Sequence, residues 1–218
     1  MWSIHFAALQ ADVRQLIGWT VSQEDLSAQG EAAADCWLVV GQIVEQEERL
    51  RVQRSWLLGE RTRRSALLLQ FSAAGQPFPE LIVPGTRIDG DLVFWPSAFP
   101  QRAKFVAKRQ ELSDSLKSLP GMASVDEFLA QTAAALARQP WLDRFLCPLK
   151  NVTPVARQSA PWLIRDSAGQ ALPLARSEWW KLLAISGGRQ VDLAAEWDAE
   201  ALLPLGVFSE DGYHPLAN

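Results

Sequence analysis

Histidine, cysteine and tyrosine are nearly missing from this sequence, which holds two, two and one of them among 218 residues. The scarcity removes whole classes of chemistry. A Ser–His or Cys–His site needs a base within reach of its nucleophile. The only histidines, His5 and His214, lie at opposite ends of the chain, and each reads as a solvent or helix-face residue. Cys36 and Cys147 are isolated and flanked by Trp37–Leu38 and Phe145–Leu146. Both read as small buried hydrophobes in the reduced state. No apolar run approaches the ~18 residues of a membrane span. Met1–His5 enters amphipathic sequence directly, without the basic, apolar and cleavage regions of a secretory signal. The expectation is a cytoplasmic chain with no membrane partner. No glycine-rich phosphate cradle and no Gly-x-Ser-x-Gly elbow occurs. The net charge of −4 is too mild for a dedicated nucleic-acid binder.

What the sequence does have is a large apolar share, 48 %, and ten tryptophans. Ile4, Leu9, Val13, Leu16 and Ile17 predict a helix over 3–17, and Ser22–Asp25 caps a short helix running to Ala34. The period then changes. Trp37–Val44, Leu50–Leu58 and Ala66–Phe71 read as three strands of an antiparallel meander joined by polar turns. Val83-Pro84-Gly85-Thr86 has the pattern of a type II turn. Asp91–Trp95 and Arg102–Lys108 follow as fourth and fifth strands. Residues 110–123 are polar, contain Pro120-Gly121, and read as a boundary. Ser124-Val125-Asp126-Glu127 fits a capping box opening a helix. A further turn, Trp141–Leu146, is expected after it, then strands over 152–157, 162–166 and 171–175. A short helix Glu178–Ile185 ends at Gly187-Gly188, and a closing hairpin spans 190–197 and 202–208. The fold class is therefore α+β: N-terminal helices, an antiparallel meander of about five strands, a linking helix and a smaller β-rich C-terminal lobe. The expected division is 1–110 and 124–218.

Several of these stretches together resemble one bacterial family. They are Leu9–Trp19, Trp37–Gln46, Trp56–Glu60, Ala66–Phe71, Val83–Thr86, Asp91–Pro96, Trp180–Ala184 and Glu196–Asp198. The chain is similar to the C-terminal part of SWIM zinc-finger family proteins. That family is named for a Cys-x-Cys … Cys-x-His motif, and this sequence departs from it: two isolated cysteines and two distant histidines cannot make four paired ligands. No metal or other cofactor is expected. The resemblance implies a role in binding protein or nucleic acid, with no zinc-borne part to carry over.

Three features remain as site candidates. Arg51, Arg61, Arg63 and Arg64 gather in one hairpin with Arg49 and Arg54, and Arg102, Lys104 and Lys108 share one face of the fifth strand by period two. If the two strands neighbour, they form a positive stripe suited to phosphate or carboxylate. The opposite reading is an ordinary solvated face. Arg54 has the inward parity of Val52 and Trp56, so it needs a carboxylate, and Glu45 is nearest by hairpin register. The adjacent pair Trp179 and Trp180 points in two directions on one helix, so either the helix is covered on two sides or one indole is free to anchor a partner. Finally, Asp89-Gly90-Asp91 and the late acids Asp192, Glu196, Asp198 and Glu200 offer clustered oxygens, but read as a turn and a solvated rim. The reading is a non-catalytic interaction or scaffold module working with other proteins. A nucleic-acid accessory domain using the arginine hairpin is the alternative, and an enzyme of unfamiliar type using the acids comes third.

Overall fold

The computed structural model describes residues 10, 12, 26, 30–47, 49–112, 118–157, 162–175, 179–209 and 211–217. The helix expected over 3–17 lies outside them except for Gln10 and Asp12, both helical. The first strand, β1 (Glu31–Glu47), starts six residues before the expected one and takes in Ala32–Ala34, which the sequence had placed in a helix. Those alanines pair with Val93, Leu92 and Asp91 of a later strand. Long-range pairing overrides the helix preference of alanine here.

β2 (Leu50–Gly59) and β3 (Ser65–Ala73) follow β1 as the expected meander. The fourth strand does not extend it. β4 (Arg87–Phe94) returns to the far side of β1, and β5 (Ala103–Leu112) lies beyond β4. The order β3-β2-β1-β4-β5 is a Greek key rather than a five-strand meander. The sheet curls until its two edge strands meet: Leu67 of β3 bridges Arg102 in parallel, and Leu67 N–H donates to Gln101 O at 2.8 Å. The result is a partly open five-stranded barrel. Its interior holds Trp37, Val39, Leu57, Ala66, Leu68, Ile88, Leu92, Phe94 and Phe105. β2 is therefore buried on both faces, and Gln53 and Ser55, of one parity with Arg51, lie inside.

The chain then forms helix α1 (Val125–Arg138). Ser124 caps it as expected, accepting from Glu127 N–H at 3.1 Å, while Glu127 accepts from Ala123 N–H at 3.1 Å. A second sheet comprises β6 (Phe145–Val155), β7 (Leu163–Arg165), β8 (Ala171–Pro173), β9 (Val191–Trp197), β10 (Leu202–Ser209) and β11 (Gly212–Pro215), in the order β11-β10-β9-β6-β7-β8. Phe145 and Leu146, expected in a helical turn, open β6 because they pair with Trp197 and Glu196. Helix α2 (Trp179–Ser186) is closed by Gly187 N–H donating to Leu183 O at 2.8 Å, with Gly187 and Gly188 both at positive φ.

The second sheet has two covered faces. One packs with Phe128 and Ala135 of α1 and Leu182 of α2. The other meets the outside of the barrel: Leu38, Val40, Ile43, Trp56 and Leu58 against Leu146, Ala194, Leu205 and Phe208. Gly41 sits in a register shift of β1 at this contact, and a Cβ there would lie 2.3 Å from Leu205 Cβ. The Tyr213 hydroxyl reaches back across it to Val40 O at 3.3 Å.

Candidate functional site

The arginine hairpin does not form one surface. β2 separates Arg51 from Arg61, Arg63 and Arg64 by on the order of 25 Å. Arg51 lies over the Phe78 ring and donates to Gln76 O. Arg61 donates to Ala34 O at 2.6 Å. Arg64 makes a bidentate pair with Glu31 at 2.5 and 3.1 Å and covers the Phe94 ring at 3.5 Å. Arg63 holds the turn at φ 58° and is exposed. Nor do all three fifth-strand cations share a face, since Lys108 departs from Arg102 and Lys104. Register shifts on β4 let one extra residue into β5 between Phe105 and Ala107, so Lys108 lies opposite Gly90, over the Phe105 ring and bonded to Glu80 at 2.7 Å. Bulges invert the alternation that a two-residue period assumes.

At the turn end of the barrel, Asp35 accepts from Thr62 Oγ1 (2.6 Å) and from the N–H groups of Thr62, Cys36 and Arg61 (2.8, 2.8 and 3.2 Å). Burial alone would raise its carboxyl, but the Thr62 hydroxyl and the three backbone donors hold it below the ordinary value. The neighbouring Cys36 thiol is half-buried, less covered than expected, and is pushed up to about 11 by burial and by the Glu60 carboxylate. It is therefore a protonated thiol near neutral pH, not a nucleophile. Asp89 and Asp91 are not in a turn but within β4, where both bind Arg109 (2.8 and 2.9 Å). A depressed carboxyl stabilises the fold above its unfolded value of about 4 and loses that contribution as pH falls through the folded value. We therefore expect Asp35→Asn to destabilise the protein at about pH 7 and much less at about pH 2.5; urea unfolding at the two pH values checks this, and an equal loss at both would remove the ionised carboxylate from the account.

Of the late acids, Asp198 and Glu200 are exposed in the β9–β10 turn as expected, but Glu196 belongs to no rim. Glu196 is 2 % exposed, at the centre of the sheet–barrel contact. It accepts from Trp56 Nε1 at 2.7 Å, from Arg144 at 2.8 Å and from Arg54 at 3.5 Å. Arg54 in turn pairs with Glu45 at 2.5 and 2.8 Å, the partner that hairpin register gave it. The hydrogen bond from Arg54 holds the Glu45 carboxyl below the ordinary range, against burial. Asp192 accepts from Leu119 N–H and Asn151 N–H, and Asp198 from Glu200 N–H and Ala201 N–H in the β9–β10 turn. These carboxylates are all engaged with donors of the fold. Ser209 Oγ lies 3.1 Å from His214 Nε2 and accepts from Asp211 N–H, closing the β10–β11 turn; His214, expected as a solvent or helix-face residue, is half-buried in β11.

Trp179 and Trp180 belong to a trio. Trp179 stacks on Trp180 with centroids 4.1 Å apart, and Trp162, before β7, joins them at 3.8 and 5.6 Å. Trp180 is 63 % exposed. Trp162 was missed in the sequence because it is 17 positions away; the only signal was its place between strand-like stretches.

Among the described residues, no three of His, Cys, Asp and Glu gather as a metal-binding group, and no helix is long and apolar enough to cross a membrane. Comparison with protein-family models, with curated proteins and with solved structures returns no match.

Proposed function

We propose that the chain is a non-catalytic interaction module of a cytoplasmic complex, in keeping with its similarity to the non-zinc part of SWIM zinc-finger proteins, and that the Trp162–Trp179–Trp180 face takes a protein partner. The exposed indole of Trp180, set in a stacked trio, carries the reading. Tryptophan supplies large contact area with few rotatable bonds and is enriched where interfaces concentrate their energy. Most of the acids and arginines that might have served chemistry are instead bound to one another or to backbone, which supports a structural role for them.

A double variant, Trp179→Ala with Trp180→Ala, tests it. Wild-type and variant chains are immobilised and exposed to bacterial lysate, and the proteins held at near-stoichiometric amounts are compared. The expected result is a protein retained by the wild type and lost by the variant at an unchanged unfolding temperature. Identical capture by both would place the contact elsewhere.

A further inference from the structure

The place where the barrel fails to close is independent of the tryptophan face. β3 and the chain entering β5 touch at the bridge between Leu67 and Arg102, and beyond it they part. The gap is a groove of about 330 Å³, with Leu69 and Phe71 on one wall, Arg102 and Phe105 on the other, and Pro79 and Glu80 at its far end. Leu67 N–H donates across the gap to Gln101 O, so the backbone of Leu67 turns away from β2. The β2–β3 register runs on without a shift. Alternation therefore turns the N–H and C=O groups of Leu69 and Phe71 the same way, into the gap. Among the described residues, no backbone bonds to those four groups. Gln76 N–H donates to Ala73 O at 3.0 Å and ends the open stretch.

Two further features say what belongs there. β3 holds neither a charged residue nor a proline, the devices that guard an exposed edge against pairing. Phe71 on that edge is 45 % exposed. Arg102, on the opposite wall, is half-buried, and among the described residues its guanidinium has one partner, the face of the Trp95 ring at 4.4 Å. Burial lowers the guanidinium from its ordinary value, and no carboxylate raises it. It therefore keeps N–H donors for an acceptor brought from outside. The lysines beside it are in a different position: Lys108 is bonded to Glu80 at 2.7 Å, and Lys104 is already engaged. Leu68 and Ala103 point into the barrel, so Leu69, Phe71 and Arg102 all point to its outer face.

We propose that the gap takes an extended acidic segment of a partner protein, which adds to the free edge of β3 as a short strand. Its backbone pairs with Leu69 and Phe71, and a carboxylate on its outer face pairs with Arg102. In strand addition the main-chain bonds give affinity and alternate side chains give specificity. From Leu67 to Phe71 the edge advances about 13 Å, room for a strand of about four residues. A second copy of this chain answers less of the site, because β3 set against β3 brings no acid to Arg102. A nucleic-acid strand offers phosphate to Arg102 but has no row of N–H donors for the carbonyls of Leu69 and Phe71.

The probe is a fluorescent peptide of alternating valine and glutamate, about seven residues long, followed by anisotropy with the full chain. Binding should saturate. Arg102→Gln should weaken it about tenfold or more, and a peptide of alternating valine and lysine should not bind. The valine–glutamate peptide with its backbone nitrogens methylated should lose binding, because it keeps every side chain but cannot donate to the edge. Leu69→Pro removes an N–H that makes no bond to β2, a substitution that edge strands tolerate, and should abolish binding. Thermal melts separate lost binding from lost fold, and if Leu69→Pro unfolds the chain, the methylated peptide tests the same bonds on the intact protein. Trp179→Ala with Trp180→Ala should bind the peptide as the wild type does. Four results would overturn the proposal. One is no anisotropy change with the valine–glutamate peptide. Another is equal binding by the methylated peptide, the valine–lysine peptide or the folded Arg102→Gln variant. The third is displacement of the probe by oligothymidylate as readily as by unlabelled peptide, which would give the groove to nucleic acid. The fourth is a wild-type dimer in sedimentation that the folded Leu69→Pro variant dissociates, which would give the edge to a second copy.

Discussion

Glu196→Ala should lower the unfolding free energy by about 3–5 kcal/mol, which for a chain of this size moves the melting temperature down by on the order of 10 °C. The side chain is almost fully enclosed and accepts from three donors on two separate segments: Trp56 and Arg54 of β2, and Arg144 just before β6. Removing the carboxylate leaves the Trp56 indole N–H buried without a partner and withdraws the buried negative charge that pairs with Arg144. An unmade bond at a buried donor costs more than the bond was worth net. Arg54 suffers less, since Glu45 still holds it. The companion variant Arg144→Ala should cost less than Glu196→Ala, because Arg144 is partly exposed and its removal strands only one of the acceptor's three contacts. Urea or thermal unfolding of the pair gives the comparison. A loss below about 1 kcal/mol for Glu196→Ala would mean that water or a side-chain shift replaces the carboxylate, contrary to the burial described.

The second large effect concerns a single methyl group. Gly41→Ala should cost about 3 kcal/mol, because the new Cβ would come within 2.3 Å of Leu205 Cβ. Neither atom can turn away by rotating a side chain; relief requires one sheet to move off the other. Gly41 does not have a positive φ, so the demand is for space and not for backbone freedom. This yields a discriminating cross. Leu205→Ala keeps its Cβ and should not rescue Gly41→Ala, whereas Leu205→Gly should recover part of the loss. Rescue by Leu205→Ala would show that the outer leucine atoms, 3.1 and 3.2 Å from the new Cβ, were the obstacle.

Both positions show which parts of the molecule were readable in one dimension and which were not. The β2–β3 pair, the Ser124 cap, the Gly187-Gly188 stop and the β9–β10 hairpin were legible because their causes are local: alternation, a capping hydroxyl, glycine at positive φ. The Arg54–Glu45 pair was legible too, since parity demanded a partner and the register supplied one. The start of β1 was not, because Ala32–Ala34 carry a helical preference and become strand only through β4, some 60 residues on. Nor was the Greek-key return, which local pattern does not encode. Gln53 and Ser55 gave β2 the look of a strand with one wet face; in the barrel they are enclosed, and Ser55 Oγ accepts from Gln42 Nε2 at 2.9 Å. Glu196 looked like one more surface acid. Its partners Trp56 and Arg54 lie 140 and 142 positions earlier, a distance at which sequence spacing says nothing. The Lys104–Lys108 misreading had a smaller cause: one inserted residue in β5, Val106, reverses the alternation between the two lysines.

The contact between Tyr213 and Val40 spans 173 positions, and it sets a delay on the ribosome. The barrel's strands are all made once Leu112 has left the exit tunnel, but the residues that cover its outer wall, Ala194, Leu205, Phe208 and Tyr213, are as much as 101 positions later (213 − 112). At about 5–20 residues per second, Leu38, Val40, Trp56 and Leu58 wait roughly 5 to 20 seconds for their cover. A nascent chain must carry that greasy wall uncovered for longer than small domains ordinarily take to fold, and anything that stalls synthesis in the second half prolongs the exposure.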